Sequence, residues 1–201
     1  MNVLGFMASP RKGGNSDVLL ERFLEGARSQ GAQAEKIYLY DCSIEYCQGC
    51  HLRCWSTPDC CSRWQDDVHL LHHKMIASDL LVFSSPVYMG TPPAKLIAFF
   101  ERSIDLKRVN LQTLKVEQNS LRDKQAVVLQ VNFFNDPAYQ RLPLSVYERI
   151  LAEIFGMTIV GSLGVEGVAE PGDIAGKKGA LQEAYDLGAR VSRADVRDHR
   201  L

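Results

Sequence analysis

The chain opens with Val3-Leu4-Gly5-Phe6-Met7, followed by Ala8-Ser9-Pro10-Arg11-Lys12-Gly13-Gly14-Asn15-Ser16, and this stretch decides the fold. The first five residues form the apolar run of a strand, and the next nine form a polar loop that contains glycine. Apolar residues then recur at the spacing of a helix that Asn15-Ser16 can cap, at Leu19, Leu20, Phe23, Leu24 and Ala27. The opening unit is therefore a strand, a loop and a helix.

The loop of this unit has the features of an anion site. The first amides of a helix have no partner inside the helix, and the helix dipole adds partial positive charge there. Ser9, Asn15 and Ser16 supply side-chain donors, and Arg11 and Lys12 supply full charges. The glycine spacing matches neither the dinucleotide-binding nor the P-loop motif, so we expect the terminal phosphate of a small cofactor. The alternative is an ordinary turn with two solvated cations.

Strand and helix patterns alternate five times along the chain, without an internal repeat. Later strands are predicted at 34–40, 80–83, 126–131 and 158–165. Four later helices are predicted: one that starts at Asp66 or Asp67, one that Thr91 caps, one at 139–155 and one at about 174–192. This alternation predicts a three-layer α/β/α fold with a doubly wound, five-stranded parallel sheet. The expected strand order is the flavodoxin-like 2-1-3-4-5, with ligands at the carboxyl ends of strands one and three.

We expect one domain over residues 1–201, with two irregular segments. The first is a cysteine-rich loop at about 42–65. The second is a connection at about 104–124, which is longer than usual and is interpreted as a hairpin, a lid or a contact arm.

The loop after the third predicted strand, Ser84-Ser85-Pro86-Val87-Tyr88-Met89-Gly90-Thr91, should lie beside the first loop. Gly90 permits close approach of the backbone to a planar ring. Tyr88 and Met89 can pack against such a ring. The alternative is that Tyr88 is an ordinary core or surface tyrosine.

The composition excludes some classes of function. Lys and Arg number 23 against 24 Asp and Glu, so bulk charge supports binding neither to nucleic acid nor to an anionic membrane. The sequence has no apolar run that could span a bilayer and no secretory signal pattern, so we expect a cytoplasmic protein. In that setting the six cysteines favour metal or redox chemistry over disulfides.

Three segments together resemble the NADPH-dependent FMN reductase family of the flavodoxin-like superfamily, near the iron–sulfur flavoproteins. They are Ser9-Pro10-Arg11 with Gly14-Asn15-Ser16; Cys47-x-x-Cys50 with Asp66-Asp67; and Ala77-Ser78-Asp79 with Ser85-Pro86-Val87-Tyr88, Pro93 and Lys95. The resemblance covers residues 1–103 well and the remainder weakly. The segment Asn132-Phe133-Phe134-Asn135 departs from the glycine-rich segment usual in the family.

The resemblance implies noncovalently bound FMN, NAD(P)H as the electron donor, and a homo-oligomer. It implies that Ser9, Arg11, Asn15 and Ser16 hold the phosphate of FMN, with Lys12 adding charge. It also implies that Pro86, Val87, Tyr88 and Met89 line the isoalloxazine ring, with Gly90 beside them.

The cysteine-rich loop leaves three interpretations open. Cys47, Cys50, Cys54 and either Cys60 or Cys61 can ligate a [4Fe–4S] cluster, and we take Cys60 as the fourth ligand. Three residues separate Cys50 from Cys54, where iron–sulfur flavoproteins usually have two. Thiolates with His51 also suit zinc. The remaining interpretation is cysteines without a metal.

We therefore expect a flavin oxidoreductase that passes electrons from NAD(P)H through FMN to a second acceptor. That acceptor is a small molecule (free flavin, a quinone, a metal ion, a nitro or an azo compound) or a protein. Because the flavin performs the chemistry, no protein acid or base is predicted. The first alternative is an iron–sulfur flavoprotein that transfers electrons between protein partners. The second is a metal-stabilised binding or redox-sensing module.

Overall fold

The computed structural model describes residues 1–50, 53–55, 61, 63–136 and 138–193. Its strands, in chain order, are β1 Asn2–Met7, β2 Gln33–Tyr38, β3 Leu80–Pro86, β4 Lys107–Val109, β5 Val116–Asn119, β6 Gln125–Val131 and β7 Thr158–Val165. Five of them form a parallel sheet in the order β2-β1-β3-β6-β7. The strands β4 and β5 form a separate antiparallel hairpin.

This sheet confirms the predicted fold class. The hairpin lies within the long 104–124 connection, and without its two strands the sheet order is the expected 2-1-3-4-5. Strand β3 pairs with β1 on one side and with β6 on the other, and residues 80–83 have 0% exposure. A continuous apolar run is what a strand buried on both faces requires.

The helices are α1 Asn15–Ser29, α2 Val68–Ala77, α3 Ala94–Arg102, α4 Ala138–Tyr147 and α5 Lys178–Val191. Helix α4 continues as a π-helix over Glu148–Ile154, so the predicted 139–155 helix is present with a change of winding. Short 3₁₀ turns occur at Leu39–Asp41, Arg53–Trp55, Ser103–Leu106 and Asp173–Gly176. In the described part of the chain, every helix is too short or too polar to traverse a bilayer.

Each face of the sheet is covered by its own apolar layer. Helices α1 and α5 pack on one face through residues such as Phe23 and Leu187. Helices α2, α3 and α4 cover the other face, where Phe6 stacks on Phe83 at 5.4 Å between ring centroids. Burying a side chain of this size contributes roughly 1.5–3 kcal/mol.

Glycines allow α1 and α5 to approach closely. A Cβ atom at Gly26 would lie 2.0 Å from the carbonyl oxygen of Tyr185, and one at Gly188 would lie 2.0 Å from the carbonyl oxygen of Phe23. No side chain fits at either position. The two helices therefore pack backbone against backbone.

The predicted Thr91 cap is wrong. The N-cap residue of α3 is Pro93, and Thr91 instead closes a turn with Tyr88 through backbone hydrogen bonds in both directions. The Thr91 hydroxyl also donates to the Tyr88 carbonyl at 3.0 Å. It also lies 3.1 Å from the Pro92 carbonyl oxygen, and no side chain caps α3.

Candidate functional site

The first loop of the site joins β1 to α1 and leaves helix amides open. The N-cap residue of α1 is Gly14, which has no side chain to cap the helix. Among the described residues, no hydrogen bond uses the N–H groups of Asn15 or Ser16. The loop is closed by its own contacts, since Gly14 N–H donates to Arg11 O at 3.2 Å and Arg11 N–H donates to Ser9 Oγ at 3.2 Å. The open amides carry the positive end of the helix dipole.

Asp17 fixes this loop from behind without leaving it negatively charged. Its carboxylate accepts from Gly13 N–H at 2.7 Å, Lys36 Nζ at 2.8 Å and Tyr38 OH at 3.0 Å. Burial opposes ionisation of Asp17, but the hydrogen bonds from Lys36, Gly13 and Tyr38 outweigh it and keep the pKa below its usual value. The Lys36 charge compensates the carboxylate. Anion binding at the amides therefore meets little opposing charge.

The second loop follows β3. The N–H group of Val87 donates to Val131 O at 3.0 Å, which ties this loop to the end of β6. Tyr88 and Thr91 then close a tight turn whose central residues have positive φ, 51° at Met89 and 74° at Gly90. This is the conformation of a type I′ turn, which is unusual for a methionine. The turn leaves the Met89 side chain 99% exposed.

The wall opposite the first loop comes from residues 168–171, which follow β7 and which the sequence analysis did not identify. The side chain of Asn15 holds this segment in place. Its Nδ2 donates to Glu170 O at 3.0 Å, and its Oδ1 accepts from Ile174 N–H at 3.2 Å. Because both atoms are used, the side chain of Asn15 positions a wall, and its backbone amide remains the open donor. This segment could have been predicted from its position alone, because it directly follows the last strand at the carboxyl edge of the sheet, where ligands bind.

Two adjoining cavities lie at this edge. The first has a volume of about 290 Å³ and is lined by Ser9, Arg11, Gly14, Asn15, Ser16, Pro86, Val87, Tyr88, Val131, Phe133 and residues 168–171. The second has a volume of about 550 Å³ and is mainly apolar, lined by Val87, Met89, Gly90, Asn132, Phe133, Phe134, Tyr139 and Leu142. Because Val87 and Phe133 line both, a polar compartment leads into an apolar one.

The two cavities bring together all but one of the predicted cofactor residues. Lys12 lines neither cavity, and its Nζ lies 2.6 Å from Asp41 Oδ2 on the exposed surface. The hydrogen bond to Asp41 raises the pKa of Lys12, so the lysine stays charged in that pair.

The cysteine-rich loop is closed at its base by two carboxylates. Asp67 accepts from Ser43 N–H at 2.7 Å, and Asp66 accepts from Glu45 N–H at 2.9 Å. Asp66 also forms a two-bond ion pair with Arg102 at 2.7 and 3.1 Å, with both side chains 3% exposed. Burial would raise the pKa of Asp66, but hydrogen bonds from Arg102 and Glu45 hold it below its usual value.

The predicted metal ligands are not brought together where the structure describes them. Cys47 is exposed, whereas Cys50, Cys54 and Cys61 are partly buried, and Cys60 lies outside the described residues. Within the described ranges, no three cysteine, histidine or acidic side chains are arranged to share a metal ion. Burial, with the nearby charge of Asp105, raises the pKa of Cys54 to about 11, so this side chain is a thiol at neutral pH. The described cysteines by themselves do not form a metal site.

Comparison with known proteins identifies the family. The sequence pattern of the NADPH-dependent FMN reductases matches residues 1–138. The chain belongs to the NADPH-dependent FMN reductase family. Membership confirms the resemblance carried by the three segments and the predicted enzyme class, an oxidoreductase that works with FMN and a nicotinamide donor.

The relatives of this FMN reductase family member include proteins named as iron–sulfur flavoproteins and one named as an FMN-containing oxidoreductase. An iron–sulfur flavoprotein of Methanosarcina thermophila is 29% identical over 161 residues, which cover 80% of this chain and 78% of that protein. A Bacillus subtilis protein named for NAD(P)H-dependent, FMN-containing oxidoreductase activity is 30% identical over 198 residues, 98% of this chain and 99% of its own. The solved NAD(P)H:quinone oxidoreductase of Methanothermobacter marburgensis superposes with a TM-score of 0.71 at 23% identity, covering 96% of this chain and 98% of that one.

Proposed function

We propose that this protein binds FMN in the two adjoining cavities and uses it to pass electrons from NAD(P)H to a small-molecule acceptor. The observation that carries the proposal is the continuity of the cavities, in which open helix amides at one end lead to aromatic walls at the other. FMN has a matching shape, with a phosphate at one end and a planar ring at the other. When bound, FMN accepts hydride from the nicotinamide and supplies the redox chemistry.

The phosphate end is assigned to the β1–α1 loop. The open N–H groups of Asn15 and Ser16 would donate to phosphate oxygens, with the hydroxyls of Ser9 and Ser16 as further donors. Arg11 would supply the compensating positive charge, because it lines the cavity and Lys12 does not.

The ring end is assigned to the apolar cavity. Val87 lies where the two compartments meet, its neighbours Pro86 and Tyr88 line the polar one, and Met89 and Gly90 line the apolar one. Apolar walls would exclude water from the ring, and the backbone N–H groups of Met89 and Gly90, which have no acceptor among the described residues, would be donors for its polar edge. The chain's own residues would thus hold and orient the ring.

We further propose that the acceptor is a small planar molecule such as a quinone, and that the protein is a cytoplasmic homo-oligomer. The name of the Methanothermobacter structure supports a quinone, and the exposed aromatic residues Phe133 and Phe134 support a planar ligand. Light scattering during size-exclusion chromatography tests the oligomer.

An anaerobic ultraviolet–visible spectrum of the purified protein, followed by titration with NADPH, tests the main proposal. We expect two flavin bands that bleach with about one equivalent of NADPH and return when a quinone is added. A colourless protein that takes up no added FMN would contradict the proposal. Flavin bands that NADPH does not bleach would leave FMN binding but remove the nicotinamide donor.

The second candidate is an iron–sulfur flavoprotein that transfers electrons between protein partners. It is supported by the name of the Methanosarcina relative and by the cysteine count, but not by the arrangement of the described cysteines. Iron and acid-labile sulfide assays on the same sample distinguish the two. About four irons per chain would favour the second candidate, and no iron would favour the first.

A further inference from the structure

Two histidines on α2 bring their ring nitrogens to one point. His69 and His73 are four positions apart, which places both side chains on one face of the helix. Their Nε2 atoms lie 3.0 Å apart, and the planes of the two rings are nearly perpendicular, at 80°. Both residues are exposed. Two histidines at this spacing on a helix supply two ligands to one ion in helical zinc motifs.

The distance between the two Nε2 atoms fits shared coordination. A histidine nitrogen lies about 2.0–2.1 Å from an ion such as Zn²⁺. At that bond length, two nitrogens 3.0 Å apart subtend an angle of about 90–100° at the ion. This is the angle between neighbouring ligands of a square-planar or octahedral ion, and Ni²⁺ and Cu²⁺ favour such tetragonal sites. Tetrahedral zinc would need a separation of about 3.3 Å.

A hydrogen bond between two neutral rings is the alternative at this distance, with one Nε2 as the donor and the other as the acceptor. Coordination requires instead that each ring carry its proton on Nδ1. Among the described residues, neither Nδ1 atom has a hydrogen-bond partner, and both rings are exposed to water. Water is one of the usual acceptors for the second nitrogen of a metal-bound histidine. The described protein therefore leaves both rings free to take the tautomer that an ion needs.

The histidine between them is already occupied. His72 is 4% exposed and lies on the core side of α2. Its Nε2 lies 3.1 Å from Ser103 Oγ, and its Nδ1 lies 3.1 Å from Asp105 Oδ1. Because both of its nitrogens face polar atoms of the protein, His72 is not a third ligand. No group of three histidine, cysteine or acidic side chains in the described ranges is arranged to share an ion, so water would complete the coordination.

A cavity of about 50 Å³ opens beside the pair and is lined by both histidines. One water molecule needs only about 10–15 Å³ measured in this way, so the cavity has room for an ion with some of its water. The charged residues of the lining are Asp105, Lys107 and Arg108. The Nζ atom of Lys107 donates to Ile154 O at 2.8 Å. Since the cations outnumber the carboxylate, attraction to an ion has to come from the two nitrogens rather than from the surrounding charge.

We propose that His69 and His73 together bind one divalent transition-metal ion of the Ni²⁺ or Cu²⁺ type at the surface of α2. The site lies outside the cysteine-rich loop and does not depend on FMN. An ion held by two residues one turn apart would stabilise the first turns of α2, the helix that begins directly after Asp67 at the base of that loop. Metal found in the purified protein would then include an ion that no cysteine holds.

Three variants test the geometry. His69→Gln and His73→Gln each remove one ligand and keep an exposed polar side chain. The matched control combines His73→Gln with Lys74→His, which keeps the number of histidines but places the two on α2 five positions apart, about 140° around the helix. This control also removes the exposed ion pair of Lys74 with Glu35, and such pairs contribute little to stability. Circular dichroism checks that each variant is folded.

The measurement is calorimetric titration of the metal-free, full-length protein with NiCl₂ alone, in a buffer that does not bind metals. We expect one Ni²⁺ per chain at this site. The Kd for Ni²⁺ should rise at least about tenfold in each single variant, because even loss of a group that only supports a ligand weakens metal binding about 10–100-fold. The control should match His73→Gln. Paramagnetic Ni²⁺ should also broaden the NMR signals of the His69 and His73 rings in the wild type.

Three results would overturn the proposal. The first is a wild type that binds no Ni²⁺ at up to about 1 mM. The second is a single variant that binds Ni²⁺ as tightly as the wild type, since the ion would then be held elsewhere, for instance by cysteines. The third is a control that binds like the wild type, which would make the number of histidines decisive rather than their spacing. None of these results bears on the proposed function, which the FMN spectrum tests separately.

Discussion

Asn15 Nδ2 donates a hydrogen bond to the carbonyl oxygen of Glu170 across 155 residues of sequence, at 3.0 Å. The bond joins the loop that follows the first strand to the loop that follows the last. Its second half, from Ile174 N–H to Asn15 Oδ1 at 3.2 Å, makes the amide a two-point clamp. The polar cavity therefore has a wall whose position depends on a residue of the opposite wall.

We predict that Asn15→Ala lowers stability by about 1–3 kcal/mol, because it leaves the buried N–H group of Ile174 without a partner, whereas Glu170 O keeps the hydrogen bond from Asp173 N–H. FMN affinity should fall as well, although the backbone amide of residue 15 is retained. Urea unfolding and FMN fluorescence titration measure the two effects. Asn135→Ala in an exposed loop is the control, and equal effects of the two variants would contradict the clamp.

Arg11 and Lys12 are neighbours in sequence with different surroundings. Arg11 lines the polar cavity, and Lys12 is paired with Asp41 outside it. We predict that Arg11→Ala weakens FMN binding about tenfold, the lower end for loss of a charge-assisted hydrogen bond at an exposed site. Lys12→Ala removes the same charge and should change the Kd less than about twofold. A larger rise in the Kd for FMN in Lys12→Ala than in Arg11→Ala would assign the compensating charge to Lys12.

Gly188 and Gly179 provide a matched pair in helix α5. A Cβ at Gly188 would lie 2.0 Å from Phe23 O, whereas one at Gly179 would meet nothing within 4 Å. We predict that Gly188→Ala destabilises the protein by about 1–3 kcal/mol or more through forced separation of the helices. Gly179→Ala should stabilise it by about 0.4–1 kcal/mol through lost chain entropy in the unfolded state. Thermal and urea unfolding measure both. If both substitutions changed the free energy of unfolding in the same direction, the helices would not pack as described.

The Asp66–Arg102 ion pair makes the stability of the protein depend on pH. Because the pKa of Asp66 is lowered in the folded state, its contribution is full above the unfolded value of about 3.9. That contribution is lost as the pH falls through the lower, folded pKa. We therefore predict a loss of stability on acidification below about pH 4.

Asp66→Asn tests this pH dependence. The variant should be less stable at neutral pH by about 3–5 kcal/mol, since Arg102 keeps a buried charge without its partner. Its stability should also change less between about pH 5 and pH 3. Urea unfolding across that range measures both effects, with Asp186→Asn on the exposed face of α5 as the control. A variant with the same acid slope as the wild type would exclude Asp66 as a source of the pH dependence.

Local patterns in the sequence were sufficient for the fold. The apolar run at residues 80–83 predicted the central strand, and the apolar spacing of three and four residues from Leu19 to Ala27 predicted α1. Both predictions succeeded because each pattern reflects the burial of residues in or against the sheet. The failure at Thr91 has a local cause too, since the backbone of Thr91 belongs to the turn with Tyr88 and α3 begins only after Pro93.

The candidate site was less accessible to sequence reasoning. The loops after β1 and β3 could be paired by topology, but the wall at residues 168–171 is fixed by Asn15, whose partners carry no local signal. Likewise, nothing in the pair Arg11-Lys12 indicates that Asp41 binds the lysine and leaves the arginine at the cavity. Contacts between distant residues decide these roles, and periodicity cannot report them.

The close packing of Gly26 on α1 and Gly188 on α5 has a consequence for biosynthesis. Synthesis proceeds from the N-terminus, so α1 is made first among the helices and its closest neighbour is made last. Until α5 emerges from the ribosome, the surface of α1 around Phe23 and Gly26 lacks the cover that Gly188 and Tyr185 give it in the finished protein. The nascent chain thus carries an uncovered helix surface through most of its translation, and chaperones have their longest opportunity to bind there.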